Sequence, residues 1–180
     1  MDKRHFLKLA GASIALAPMA SMAALDKTNT AGLNDINVLT DITASAKPIT
    51  VEERRARIEK AQSLMKAQDI AAILIEPGAA MEYFSGIKWW RSERLTALII
   101  PKKGDVAVIT PFFEKPSVLE SLAIGDDVRV WQEHESPFDA VASILKSRGI
   151  TSGNIGFESS VRYFVVTGVS RALPNMKIVP

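Results

Sequence analysis

From Thr50 onward the apolar positions change their period every few residues, and each change marks an element. Ile58, Ala61, Met65 and Gln68 follow one another at helical spacing, while Arg54, Arg55, Arg57, Glu59 and Lys60 take the other faces. Thr50 and Glu53 stand as a capping box at the start of that helix, hydroxyl and carboxylate satisfying orphan N–H groups reciprocally. Ala71–Ile75 is a short continuous apolar run stopped by Pro77-Gly78, the pattern of a buried strand. Ala79–Phe84 then reads as a short helix closed by Gly86. Leu95–Ile100 and Val106–Thr110 read as two strands joined through the turn Pro101-Lys102-Lys103-Gly104.

The alternation continues with a helix over Phe113–Leu122 and a strand over Val128–Trp131. Ser136-Pro137 supplies an N-cap and a proline at the first helical position, and Gly149 ends that helix after Lys146 and Arg148. Ile155–Phe157 is a further strand. Val161–Thr167 carries β-branched residues that favour a strand and a Ser159-Ser160 start that favours a helix. A helix there, followed by a last strand Lys177–Val179, restores the alternation. The expectation is one α/β domain over residues 50–180, a central mixed β-sheet flanked by helices.

The N-terminal residues follow different rules. Asp2–Lys8 is a charged stretch, Leu9–Ala17 a short apolar one, and Ser21-Met22-Ala23 offers small residues for cleavage, so residues 1–23 read as a signal peptide. Lys3-Arg4-His5-Phe6-Leu7-Lys8 is similar to a twin-arginine export signal with Lys3 in place of the first arginine, which leaves ordinary Sec export open. The alternative, an uncleaved anchor, has to rely on an alanine-rich stretch broken by Pro18 and shorter than the ~20 apolar residues of a span. Residues 24–49, rich in Thr, Asn, Asp, Ala and Ser, read as a flexible linker. The protein is expected to be exported, periplasmic or secreted, with no membrane attachment once the signal is removed.

Removing residues 1–23 changes the charge. Lys3, Arg4 and Lys8 go with Asp2, which leaves 19 of the 22 basic and 19 of the 20 acidic residues. A formally neutral remainder gives no basic patch and no argument for nucleic acid. With no cysteine in 180 residues, disulfides, thiolate metal sites and a cysteine nucleophile are excluded.

Candidate chemistry concentrates in Trp89, Trp90, Arg91 and Arg94, two aromatics and two guanidinium groups within six residues. Such a set can clamp a peptide, rings stacking on proline-like or apolar groups and arginine gripping a carboxylate. It can equally fill a seam or rim an oligomer interface. Glu133-His134-Glu135 has metal-ligand residue types, but neighbours on an extended segment point to opposite faces, and a solvated loop is the plainer reading. Ser136 and Ser159 sit at cap positions, Glu114 and Glu158 are lone carboxylates, and no Gly-rich phosphate loop is present. Nothing here reads as an autonomous catalytic site: no catalytic or metal residue is expected in the chain.

Several segments, taken in order, carry a family likeness. They are Glu53-Arg54-Arg55-Ala56-Arg57-Ile58 into Ala61–Met65, Tyr83-Phe84-Ser85-Gly86, Trp90–Leu95, Ile100-Pro101, Gly125–Arg129, and Trp131-Gln132-Glu133 ahead of Ser136-Pro137. Together they resemble the N-terminal domain of the creatinase/prolidase/Xaa-Pro aminopeptidase metallopeptidases, closest to the Xaa-Pro aminopeptidase branch. The resemblance implies a ribonuclease-H-like α/β layer that supports assembly, as a homo-oligomer or with a full-length homologue. It places the Trp89-Trp90 loop near a substrate pocket that takes a proline-containing peptide, and Arg94 toward a substrate carboxylate. The family's metal centre, two divalent ions of the Mn, Co or Zn type held by two aspartates, a histidine and two glutamates, lies in a C-terminal domain. That centre polarises the scissile carbonyl and activates a bridging water. None of its ligand motifs occurs in this sequence, and the resemblance implies that Pro180 falls where that domain would begin.

Overall fold

The computed structural model describes residues 42–179; the expected signal peptide and most of the expected linker lie outside them. Pro48–Pro180 forms one compact unit. Its elements alternate as the hydrophobic periods do: α1 (Val51–Ala67), β1 (Ile70–Ile75), α2 (Ala79–Ser85), β2 (Ala97–Pro101) and β3 (Ala107–Pro111), then a 3-10 turn (Phe112–Glu114) leading into α3 (Lys115–Ser121). They continue with β4 (Asp127–Trp131), α4 (Pro137–Ser147), β5 (Gly153–Phe157), α5 (Tyr163–Ala172) and β6 (Met176–Val179). No helix among the described residues is long and apolar enough to cross a membrane.

The strands form one sheet in the order β4-β3-β2-β1-β5-β6. β1 pairs in parallel with β5, β5 with β6, and β3 with β4, while β2 runs antiparallel to both β1 and β3. β2 is therefore the one reversed strand in a mixed sheet. The expected fold class holds: α/β, central mixed sheet, helices on both faces.

Strand alternation divides the apolar side chains between two cores. Leu74, Ile99, Ile109 and Ile155 face α4 and α5, meeting Val141, Ile144, Leu145, Val165 and Val169. Ile75, Leu98, Ile100 and Val108 face the other way, onto Ile58 and Met65 of α1, Met81 of α2 and Val118 of α3. β2 and β3 are buried at all five positions, as expected of strands covered on both faces. Close approach between α4 and α5 depends on Gly168, where a Cβ would lie 2.5 Å from the Phe138 ring.

Local signals differ from expectation at three points. Thr50 Oγ1 accepts from the Glu53 amide at 3.1 Å, but the Glu53 carboxylate turns to Arg57, a residue one turn further on, so only half of the capping box forms. Arg54 is not on a solvent face: it is buried and donates to the Glu82 and Tyr83 carbonyls at the end of α2. The helix expected from Ser159-Ser160 begins instead at Tyr163, with Arg162 as N-cap, because the Ser159 and Ser160 hydroxyls are taken up by the Glu158 carboxylate.

Candidate functional site

α2 leaves the carboxyl end of β1 toward one face of the sheet, and α5 leaves the carboxyl end of β5 toward the other. The two strands are neighbours, so the divergence opens a crevice between them, the position where open α/β sheets bind ligands. A cleft of about 480 Å³ occupies it. Glu76, Pro77 and Gly78 line it from just past the end of β1, Glu158 and Ser160 from just past β5, and Trp89, Trp90 and Arg91 from the segment entering β2. A second hollow of about 390 Å³ adjoins it and shares Gly78, Ala79, Trp89 and Trp90.

The segment between α2 and β2 arches over this crevice. Gly86 ends α2 at φ 87, and Ile87 and Leu95 are the buried feet of the arch. Trp89 is half-buried against the core that faces α1, whereas Trp90 is 91% exposed and stands as a ridge between the two hollows. Arg91 turns inward. Its Nε donates to the Pro77 carbonyl at 3.0 Å, one terminal nitrogen donates to Ser160 Oγ, and Glu158 lies 3.8 Å away.

Beneath the arch sits a buried ion pair. The Glu76 side chain is fully enclosed, and its carboxylate accepts three bonds from Arg162: the backbone amide at 2.8 Å, Nε at 3.0 Å and a terminal nitrogen at 2.6 Å. The remaining guanidinium nitrogen of Arg162 donates to the Ser92 carbonyl, and its carbon lies 4.7 Å from the centre of the Phe164 ring.

Of the four residues expected to act together, the fold gathers Trp89, Trp90 and Arg91. Arg94 lies apart. Its guanidinium forms a fork with Glu133 at 2.7 and 3.4 Å, bonds Glu93, and lies 5.4 Å from the centre of the Phe113 ring. The hydrogen bond it donates to Glu133, with Glu93 and Glu114 nearby, raises its pKa above the ordinary value despite the opposing effect of burial. Glu114 bonds the buried hydroxyls of Thr96 and Thr110 at 3.1 and 3.3 Å.

The Glu133-His134-Glu135 triplet scatters as its extended backbone requires: Glu133 goes to Arg94, and Glu135 accepts from the Gln132 amide at 2.7 Å. Ser136 caps α4 by accepting from the Asp139 amide. Among the described residues no group of three or more His, Cys, Asp or Glu side chains is placed to hold a metal ion. The two divalent ions implied by the resemblance have no fitting ligand set there, so no chemistry is derived through them. Glu76 and Arg162, 86 residues apart, were not singled out from the sequence. The one signal available was a lone carboxylate directly between an apolar strand and Pro77-Gly78.

These features define a three-layer α/β domain with a cleft at the carboxyl edge of its sheet. The family of the Creatinase/Prolidase N-terminal domain matches residues 57–180, and the chain belongs to it. A probable dipeptidase PepE of Mycobacterium tuberculosis is 33% identical over 78 residues, which is 42% of this chain and 21% of that protein. An uncharacterized peptidase of Schizosaccharomyces pombe is 27% identical over 135 residues, 67% of this chain and 29% of that one. The chain thus spans less than a third of these relatives. Among solved structures, dipeptidase PepE from Mycobacterium ulcerans superposes with a TM-score of 0.64 at 26% identity, covering 72% of this chain and 34% of that one. The N-terminal domain of Xaa-Pro dipeptidase from Lactobacillus brevis superposes with a TM-score of 0.62 at 17% identity, covering 67% of this chain and 90% of the other; that likeness shows the fold.

Proposed function

We propose that this chain is the non-catalytic N-terminal domain of an exported Xaa-Pro aminopeptidase-like metallopeptidase, serving oligomerisation and the shaping of a substrate pocket. The observation that carries this reading is the Trp90 ridge between two hollows. An indole 91% exposed contributes almost nothing to its own domain, and such a ring is suited to a peptide or a neighbouring subunit. Other exposed aromatic rings stand on the same edge of the sheet: Phe112 and Phe113 follow β3, and Tyr163 and Phe164 follow β5. Aromatic residues with Arg91, Arg94 and Arg162 beside them match the composition of interface cores.

In this reading a proline-containing peptide lies against Trp89 and Trp90, and the two divalent metal ions with their catalytic ligands belong to a C-terminal domain. Periplasmic or secreted localisation follows from the N-terminal signal. The test is sedimentation velocity over a concentration series, with and without a proline-containing tripeptide, on the full chain and on Trp90→Ala. Concentration-dependent association or peptide binding that Trp90→Ala abolishes supports the proposal; neither property in the unaltered chain overturns it.

A second reading, a stand-alone protein- or peptide-binding module that reuses the fold, draws on one observation. Pro48–Pro180 forms one compact unit with two hydrophobic cores of its own. Peptide binding by a strictly monomeric chain would favour it.

A further inference from the structure

Between its buried feet at Ile87 and Leu95 the arch has no regular secondary structure, so its shape has to be set from outside. Two arginines reach it. Arg91 belongs to the arch itself and fastens to Pro77 and Ser160 with its side chain partly in solvent. Arg162 comes from the start of α5 and is different in kind. Nε and one terminal nitrogen are held by a carboxylate that is itself fully enclosed, and the other terminal nitrogen grips the Ser92 carbonyl, two residues beyond Trp90.

We propose that Glu76 and Arg162 are positioning residues for the Trp89-Trp90 ridge. Enclosing Glu76 at the end of β1 fixes the guanidinium plane of Arg162, and that plane fixes the height and turn of the arch at Ser92. The inference rests on the cleft being a binding surface, but it concerns how the cleft is built. Its geometry explains why an isolated carboxylate is enclosed under a surface loop. A buried pair adds little net stability over an apolar one of similar volume, but it sets orientation through fixed bonds. The planar fork is needed: it aims two nitrogens at Glu76 and the third at Ser92 on a different side. A lysine ammonium radiates its donors from a single atom and cannot span both.

The test is hydrogen exchange followed by mass spectrometry on the full chain, on Arg162→Lys, and on the doubly substituted Glu76→Met/Arg162→Met. The double variant removes both charges together and leaves none uncompensated in the interior. The expected result is exchange about tenfold faster in both variants for the Arg94 amide, which donates to Ser92 Oγ beside the carbonyl that Arg162 grips, with β1 and β5 unchanged. Binding of a proline-containing tripeptide should weaken in parallel. An Arg94 amide unaltered in folded variants overturns the proposal, as does one already unprotected in the native chain. Protection lost across the sheet in both variants also overturns it, since the pair would then serve the core. Should the arch loosen while the native chain binds no peptide, the positioning role stands and the peptide-facing reading of the cleft falls.

Discussion

The indole N–H of Trp131 donates to the Leu95 carbonyl across 2.9 Å, with both residues buried. Trp131 ends β4 and Leu95 lies just ahead of β2, so the bond crosses over β3 and ties the outer strand to one foot of the arch. Trp131→Phe keeps most of the apolar surface and leaves that carbonyl without its partner inside the core. The expected loss is about 1–3 kcal/mol of unfolding free energy, read from urea denaturation with an unchanged slope.

Trp89 and Trp90 should separate cleanly under substitution. Trp90→Ala is expected to shift stability by less than about 0.5 kcal/mol, since the ring is solvated. Trp89→Ala removes a half-buried ring packed on the core and should cost about 1–3 kcal/mol. Urea unfolding of the two variants side by side checks the difference.

Arg54 and Arg57 together close the end of α2. Both donate to the Tyr83 carbonyl, Arg54 also to Glu82, and the Arg57 guanidinium lies 4.0 Å from the centre of the Tyr83 ring. Two cations at a helix C-terminus satisfy orphan carbonyls and complement the dipole. Arg54→Ala, which deletes buried charged hydrogen bonds, should cost about 1.5–3 kcal/mol, again by urea unfolding.

Gly86 and Gly104 share a positive φ, 87° and 89°, but not their surroundings. A Cβ at Gly86 would meet the Ala123 Cβ at 2.7 Å and the Ser121 carbonyl at 3.0 Å, whereas nothing lies within 4 Å at Gly104. Gly104→Ala should therefore cost about 1 kcal/mol, the conformational term alone, and Gly86→Ala distinctly more, which thermal unfolding of the pair would show.

Asp127 should shape the acid limb of stability. Burial alone pushes its carboxyl up, but hydrogen bonds from Arg129 and Arg148 at 2.9 and 2.7 Å outweigh that and hold its pKa below the ordinary value. A depressed folded pKa gives stability that is present above about pH 4 and lost as pH falls through the folded value. Asp127→Asn should accordingly destabilise the protein at pH 6 and much less at pH 3, measured by urea unfolding at both.

The order of strands and helices could be read from the sequence because it depends on local periodicity: Ala71–Ile75 and Val128–Trp131 appear almost unchanged as β1 and β4. Boundaries shifted where side chains changed partner, as when Glu158 captured Ser159 and Ser160 and α5 began later. The site was only partly legible. Proximity in sequence joined Arg94 to Trp89, Trp90 and Arg91, but an irregular segment can turn its side chains either way, and Arg94 turned to Glu133. The Glu76–Arg162 pair depends on β1 lying next to β5, a fact of topology that periodicity does not contain.

Arg162 holds the arch by a carbonyl, and every kind of residue presents a carbonyl. Ile87 and Leu95 hold it at either foot by packing and by their backbones, the Ile87 amide donating to Ser85 Oγ and the Leu95 carbonyl accepting from Trp131. Neither kind of hold reads the solvated side chain at 90. The tip of the arch is therefore exchangeable on a constant frame: what position 90 displays to a ligand can change while the sheet beneath it stays the same.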